Sequence, residues 1–125
     1  MARFASDGMI DGGLDKIATC TRMTICSAEP GTIADLTTYG LAEAAGLTSG
    51  DFTKANGDTS GRKITVAAQN ALSITAPGTN EANHIALDDG TDLIVTTCTA
   101  QDLIGGGTVN VPAYDFEISA PGIPL

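Results

Sequence analysis

Positive charge, aromatic rings and imidazole are all scarce in this chain. Six Lys and Arg stand against fifteen Asp and Glu, a formal net charge of −9, so the basic footprint that a nucleic-acid backbone demands is missing. That balance favours solubility, or docking on a basic surface. There is no Trp, and the aromatic residues are Phe4, Tyr39, Phe52, Tyr114 and Phe116, which leaves few platforms on which a sugar ring can stack. One His and three cysteines, Cys20, Cys26 and Cys98, in no CxxC spacing give a Cys/His zinc site no ligand set. Buried free thiols are expected, because an unpaired Cys behaves as a small hydrophobe. A Cys20–Cys26 or Cys26–Cys98 disulfide is the alternative and needs an oxidising environment. No apolar run approaches the roughly 18 residues of a membrane span, and no basic-then-apolar leader opens the chain. A protein made and used in the cytoplasm is the expectation.

What is present points to strands. At 125 residues the chain has the length of one domain, able to bury roughly two-thirds of its unfolded surface without metals or disulfides. Its hydrophobic fraction of 42% rests on 18 Ala together with Val, Ile and Leu, so the core should be thin. Seventeen Thr and 15 Gly favour short strands joined by tight turns, since Thr is β-branched and Gly weakens helix interiors.

The clearest pattern runs from His84 to Thr99, HIALDDGTDLIVTTCT. Ile85 and Leu87 alternate with Ala86 and Asp88, Asp89-Gly90 supplies a turn, and Leu93, Val95 and Thr97 alternate on the return, which predicts a β-hairpin. Two strands are marginal alone, so a larger sheet must surround them. Residues 1–10 show no period and read as an N-terminal arm; a short helix is expected from Asp11 to Ala18, with Leu14 and Ile17 on one face. Thr19 to Ala28 reads as a strand ended by Glu29-Pro30-Gly31, Thr32 to Leu47 as a loop with one short strand near Tyr39 to Glu43, and Asp51 to Ala55 as another strand. Lys63 to Ala68 and Ala71 to Ala76 are expected to pair as a second hairpin across Gln69-Asn70. Thr79 to Asn83 reads as a polar connector and Gly105 to Gly107 as a flexible break. Thr108 to Val111 and Ala113 to Ile118 are the last strands, with Pro112 marking a bulge or edge. The sum is a mainly β chain, a small antiparallel β-sandwich or barrel of seven to eight short strands with one short N-terminal helix and extended terminal arms. Its domain spans residues 11–119, with an arm at 1–10 and a tail at 120–125.

Chemistry-bearing residues are sparse. His84 and Cys98 lie on strands expected to pair and are the nearest approach to a base and nucleophile, but a strand-end histidine is the stronger expectation. Asp88, Asp89 and Asp92 lack EF-hand spacing and read as solvated acids at a turn tip. Gly105 to Gly107 has no following Lys-Ser/Thr and leads into a strand, unlike a phosphate-binding loop. No enzyme, cofactor or metal is expected. Outside the expected strands, Arg3, Phe4, Met9 and Ile10 in the N-terminal arm and Ile123 and Leu125 in the tail form two groups of anchor-type residues, and these are the expected partner-binding positions.

The stretch from Asp51 to Pro121, with GDTSGRK (Gly57 to Lys63), HIALDDGT (His84 to Thr91), VTTCT (Val95 to Thr99) and VPAYDFEI (Val111 to Ile118), resembles a group of small virion structural proteins of tailed phages and prophages. A weaker likeness at Asp15 to Pro30 extends it to about three-quarters of the chain. The resemblance implies a virion protein that decorates or cements the capsid shell, partnered by the major capsid protein and by copies of itself around a symmetry axis. A tail, neck or head-fibre component is the alternative it leaves open, and a small host-surface hydrolase or carbohydrate-binding domain is less favoured. The group contributes no catalytic motif.

Overall fold

A computed structural model describes residues 6–119. The chain is mainly β, with α1 (Asp7–Ile17), β1 (Arg22–Cys26), α2 (Asp35–Tyr39), β2 (Gly40–Ala45), β3 (Phe52–Asn56), β4 (Arg62–Val66), β5 (Gln69–Ser73), β6 (Thr79–Asp88), β7 (Leu93–Ile104), β8 (Thr108–Val111) and β9 (Tyr114–Ile118). All pairings are antiparallel. They build a four-stranded sheet in the order β2-β1-β6-β7, a three-stranded sheet β3-β4-β9 and a two-stranded ribbon β5-β8. The open sheets fit a small β-sandwich, as the strand spacing in the sequence leads one to expect.

The core lies between the sheets. Met23, Ile25 and Leu87 from the four-stranded sheet meet Phe52, Ile64 and Val66 from the three-stranded one, with Leu14 of α1 among them. β1 is buried on both faces, so its alternation of Met23 and Ile25 against Thr24 and Cys26 does not divide core from solvent. The far face is covered by α2, whose Leu36 packs on Cys26 and Ala86. Gly40 permits that cover: a Cβ there would collide with the Leu36 carbonyl oxygen.

The β6-β7 hairpin forms as the sequence predicts, with Ile85 opposite Thr96 and Leu87 opposite Ile94. It is longer than expected, since residues 79–83, read as a connector, extend β6 and pair with the end of β7. Gly90 takes φ +93 at the turn, a conformation only glycine adopts without strain. The hairpin expected between residues 63–68 and 71–76 does not exist. β4 pairs instead with β3 and β9, and β5 with β8, because the strand pattern specifies a face to bury and not the neighbour that buries it. Residues 105–107 are a tight turn and not a flexible break: the Gly107 N–H donates to the Ile104 carbonyl at 3.0 Å and the Gly105 N–H to Gly78 at 2.8 Å.

The helix begins earlier than expected. Residues 7–10 belong to α1, and Ile10 with Leu14, one turn apart, turns its side chain into the protein. Placing Ile10 in a loose arm as a partner anchor is therefore corrected; it is buried on a helix that packs against β4.

Candidate functional site

Two surfaces stand out from a fold whose described cations are all paired with acids of the same chain. The first is the end of the molecule carrying the start of α1 and the close of β9. Asp11 receives the Arg62 guanidinium, Nε to Oδ1 at 2.9 Å, and Lys54 lies between Asp11 and Asp15. The Arg62 hydrogen bond holds the Asp11 carboxyl below the usual carboxylate range. Arg62 also pairs in register with Ile118, so this network joins α1, β4 and β9 at one end. Ile118 reaches α1 as well: a Cβ placed on Gly13 would sit 3.2 Å from its Cδ1. Met9 lies one turn before Gly13 on the same helix face. Met9 is 78% exposed and Ile118 39%, which makes an apolar patch close to the first and last described residues.

The second surface is a groove of about 490 Å³ between β7 and the β8–β9 segment. β7 is the last strand of its sheet and β8 the last of its ribbon; the turn at residues 105–107 brings them together in sequence, yet they do not pair. Ile25, Ala82, Ile85 and Val111 contribute buried apolar floor, while Thr97, Thr99, Asn110 and Asp115 are polar members of the lining. Tyr114 also borders the groove, stands edge-on to Phe116 at 5.7 Å between ring centroids and has a buried hydroxyl without a hydrogen-bond partner. Burial drives its phenol well above the usual range.

The acidic hairpin tip is not a solvated cluster. Asp88 is 2% exposed; it accepts Arg22 Nε at 2.8 Å and Nη2 at 3.1 Å and the Gly90 N–H at 3.0 Å. Asp89 accepts the Thr91 and Asp92 N–H groups and the Lys16 ammonium, and these, Lys16 first, hold its carboxyl far below the normal range. The expectation of three solvated tip acids fails for Asp88 and Asp89, because long-range cations from α1 and β1 reach them. Asp92 alone stays largely exposed, 3.2 Å from Lys16.

His84 pairs in register with Thr97, and its Nδ1 is engaged by Asn83 Oδ1 at 2.6 Å. The three cysteines are free thiols; burial raises Cys20 and Cys26 to about 11 and also raises Cys98, which disfavours the nucleophilic thiolate. Among the described residues no three His, Cys, Asp or Glu gather as a metal cluster, and no helix is long and apolar enough to cross a membrane. Of the expected partner anchors, Met9 is exposed and Ile10 buried, while Arg3, Phe4, Ile123 and Leu125 lie outside the described residues. The groove was not anticipated from sequence; the only signal for it was Pro112, which breaks the run between β8 and β9 and sends them to different partners. Comparison with protein-family models, with curated proteins and with solved structures gives no match.

Proposed function

We propose that this chain is a non-catalytic structural module that decorates or cements the outer capsid shell of a tailed-phage particle, bound to the major capsid protein and to copies of itself. The observation that carries the reading is the exposed Met9–Ile118 patch at the α1–β9 end. Exposed apolar patches mark interaction surfaces, and methionine is enriched at interfaces. The sequence resemblance to virion proteins and the acidic surface agree with that reading. So does the matched charge: each of the five described cations, Lys16, Arg22, Lys54, Arg62 and Lys63, is committed to an acid of the same chain, leaving the excess negative charge for a basic shell.

Electron cryo-microscopy of intact particles from the phage that carries this gene tests it. Copies in numbers comparable to the major capsid protein, with the α1–β9 end against the shell, are expected. A single ring of about a dozen copies or fewer at the neck or tail would assign the alternative role, and absence from the particle would end the proposal.

A further inference from the structure

We infer that Asn56 is a self-modification site: in the folded protein its carboxamide is converted to a carboxylate through attack by the Gly57 backbone nitrogen, without an enzyme. The inference stands on the turn between β3 and β4 and does not rest on the docking reading.

The chain holds five Asn residues, and only Asn56 is followed by Gly. Cyclisation needs the next backbone nitrogen to reach the side-chain Cγ. A Cβ on that next residue obstructs the approach, and glycine has none. Asn70, Asn80, Asn83 and Asn110 are followed by Ala, Glu, His and Val, so each is shielded. Asn56 is the last residue of β3 and is exposed, and residues 58–60 of the turn that follows are exposed as well.

The turn keeps the susceptible pair in place. A Cβ on Gly57 would collide with the Ser60 carbonyl oxygen and with the Glu117 carboxylate, and that carboxylate accepts the Asp58 N–H at 2.8 Å. No larger residue can follow Asn56 unless the turn is rebuilt. Arg62 stands opposite Asn56 in the β3-β4 ladder and donates Nη1 to Asn56 Oδ1 at 2.9 Å. That bond polarises the carboxamide and stabilises the oxyanion formed as the nitrogen adds, as charged donors do in acyl transfer. One contact opposes the reaction: the Gly57 N–H donates to the Gly61 carbonyl at 2.9 Å. Opening an exposed turn costs far less than global unfolding, so only the turn has to yield.

The atoms balance with water alone. The Gly57 nitrogen loses its proton to solvent and bonds to Asn56 Cγ; the Cγ–Nδ2 bond breaks and ammonia leaves. Water then opens the cyclic imide. Attack at Cγ restores the main chain with Asp at 56, and attack at the main-chain carbonyl carbon leaves an isoaspartyl link. The aspartyl product puts a second carboxylate on Arg62, which Asp11 already holds. The isoaspartyl product adds a main-chain carbon and takes residue 56 out of register with Arg62.

The test holds purified full-length protein at mildly alkaline pH, follows its fold by circular dichroism, and maps timed samples by mass spectrometry after digestion in acid. Expected is progressive loss of the amide at Asn56, with ammonia released in equal amount, while Asn70, Asn80, Asn83 and Asn110 keep theirs and the spectrum stays native. Asn56→Gln, which would have to close a larger ring, should release no ammonia on the same timescale. Amide loss at Asn56 that only keeps pace with the other four, or that requires urea to unfold the chain first, would overturn the inference.

Discussion

Asp88 and Asp92 flank one turn, look alike in the sequence and have opposite roles. Asp88 is buried and neutralises Arg22, whose side chain is 34% exposed; removing the acid leaves a partly desolvated guanidinium and an unpaired Gly90 N–H. Breaking a fully buried pair costs 3–5 kcal/mol, and the partial exposure of Arg22 reduces that, so Asp88→Ala should lower stability by about 2–3 kcal/mol in urea unfolding. Asp92→Ala should leave the urea midpoint within error, as exposed pairs contribute little. Asp89 adds a pH signature. Its folded carboxyl titrates below its unfolded value, so its contribution is fully present above the unfolded range near pH 4 and is lost as pH falls through the folded value. The melting-temperature gap between wild type and Asp89→Asn should be widest near neutrality and should shrink on acidification below about pH 4. None of this was legible in the sequence, because the cations that decide it, Lys16 and Arg22, are some seventy residues away.

At the scale of elements, strand existence was readable and strand partnership was not. Residues 63–68 and 71–76 show the same period-2 pattern that correctly marked β6 and β7, but the second pair lacks a true hairpin turn. The Ala67 N–H donates to Asp51 O at 2.8 Å, extending the β3-β4 contact, while the Ala71 N–H is taken by Asn110 Oδ1 at 2.8 Å. Ala71 is held at φ 56 by that arrangement, in the left-handed region that disfavours a Cβ by roughly 1–2 kcal/mol. Relief of that strain exceeds the added chain entropy of glycine, so Ala71→Gly should raise stability, by up to about 1 kcal/mol in urea unfolding. Asn110→Ala, which removes the hydrogen bond to Ala71 at the register shift between Gln69 and Leu72 of β5, should lower it by about 1 kcal/mol. The edge of β7 was equally hidden, since a sequence does not announce which strand ends a sheet.

For the whole molecule, the sequence correctly indicated a β domain with free thiols, and the structure adds where those thiols sit. Cys20 and Cys26 are buried and raised to about 11, so a thiol reagent at pH 8 should modify Cys98 in the native protein and reach the other two only through unfolding, as peptide mapping after timed labelling will read. The α1–β9 end was half legible. Met9 and Ile10 are adjacent, and sequence reasoning grouped both with the arm; the helical period separates them, Met9 into solvent and Ile10 into the core. That separation gives a test in which folding and docking part company. Ile10→Ala deletes buried methyl and methylene groups near a helix start, where the backbone can partly relax, and should lower stability by about 2 kcal/mol, at the low end for such truncations. Met9→Asp removes an exposed apolar side chain from the first turns of a helix, where negative charge is tolerated or favourable, and should leave the unfolding midpoint and circular dichroism unchanged. If the Met9–Ile118 patch is the anchor, Met9→Asp particles should carry several-fold fewer copies, because a charge placed in an apolar contact must be desolvated there. Ile10→Ala particles assembled well below its melting temperature should carry near-normal numbers. The reverse pattern, full occupancy with Met9→Asp, would remove the α1–β9 end from the interface.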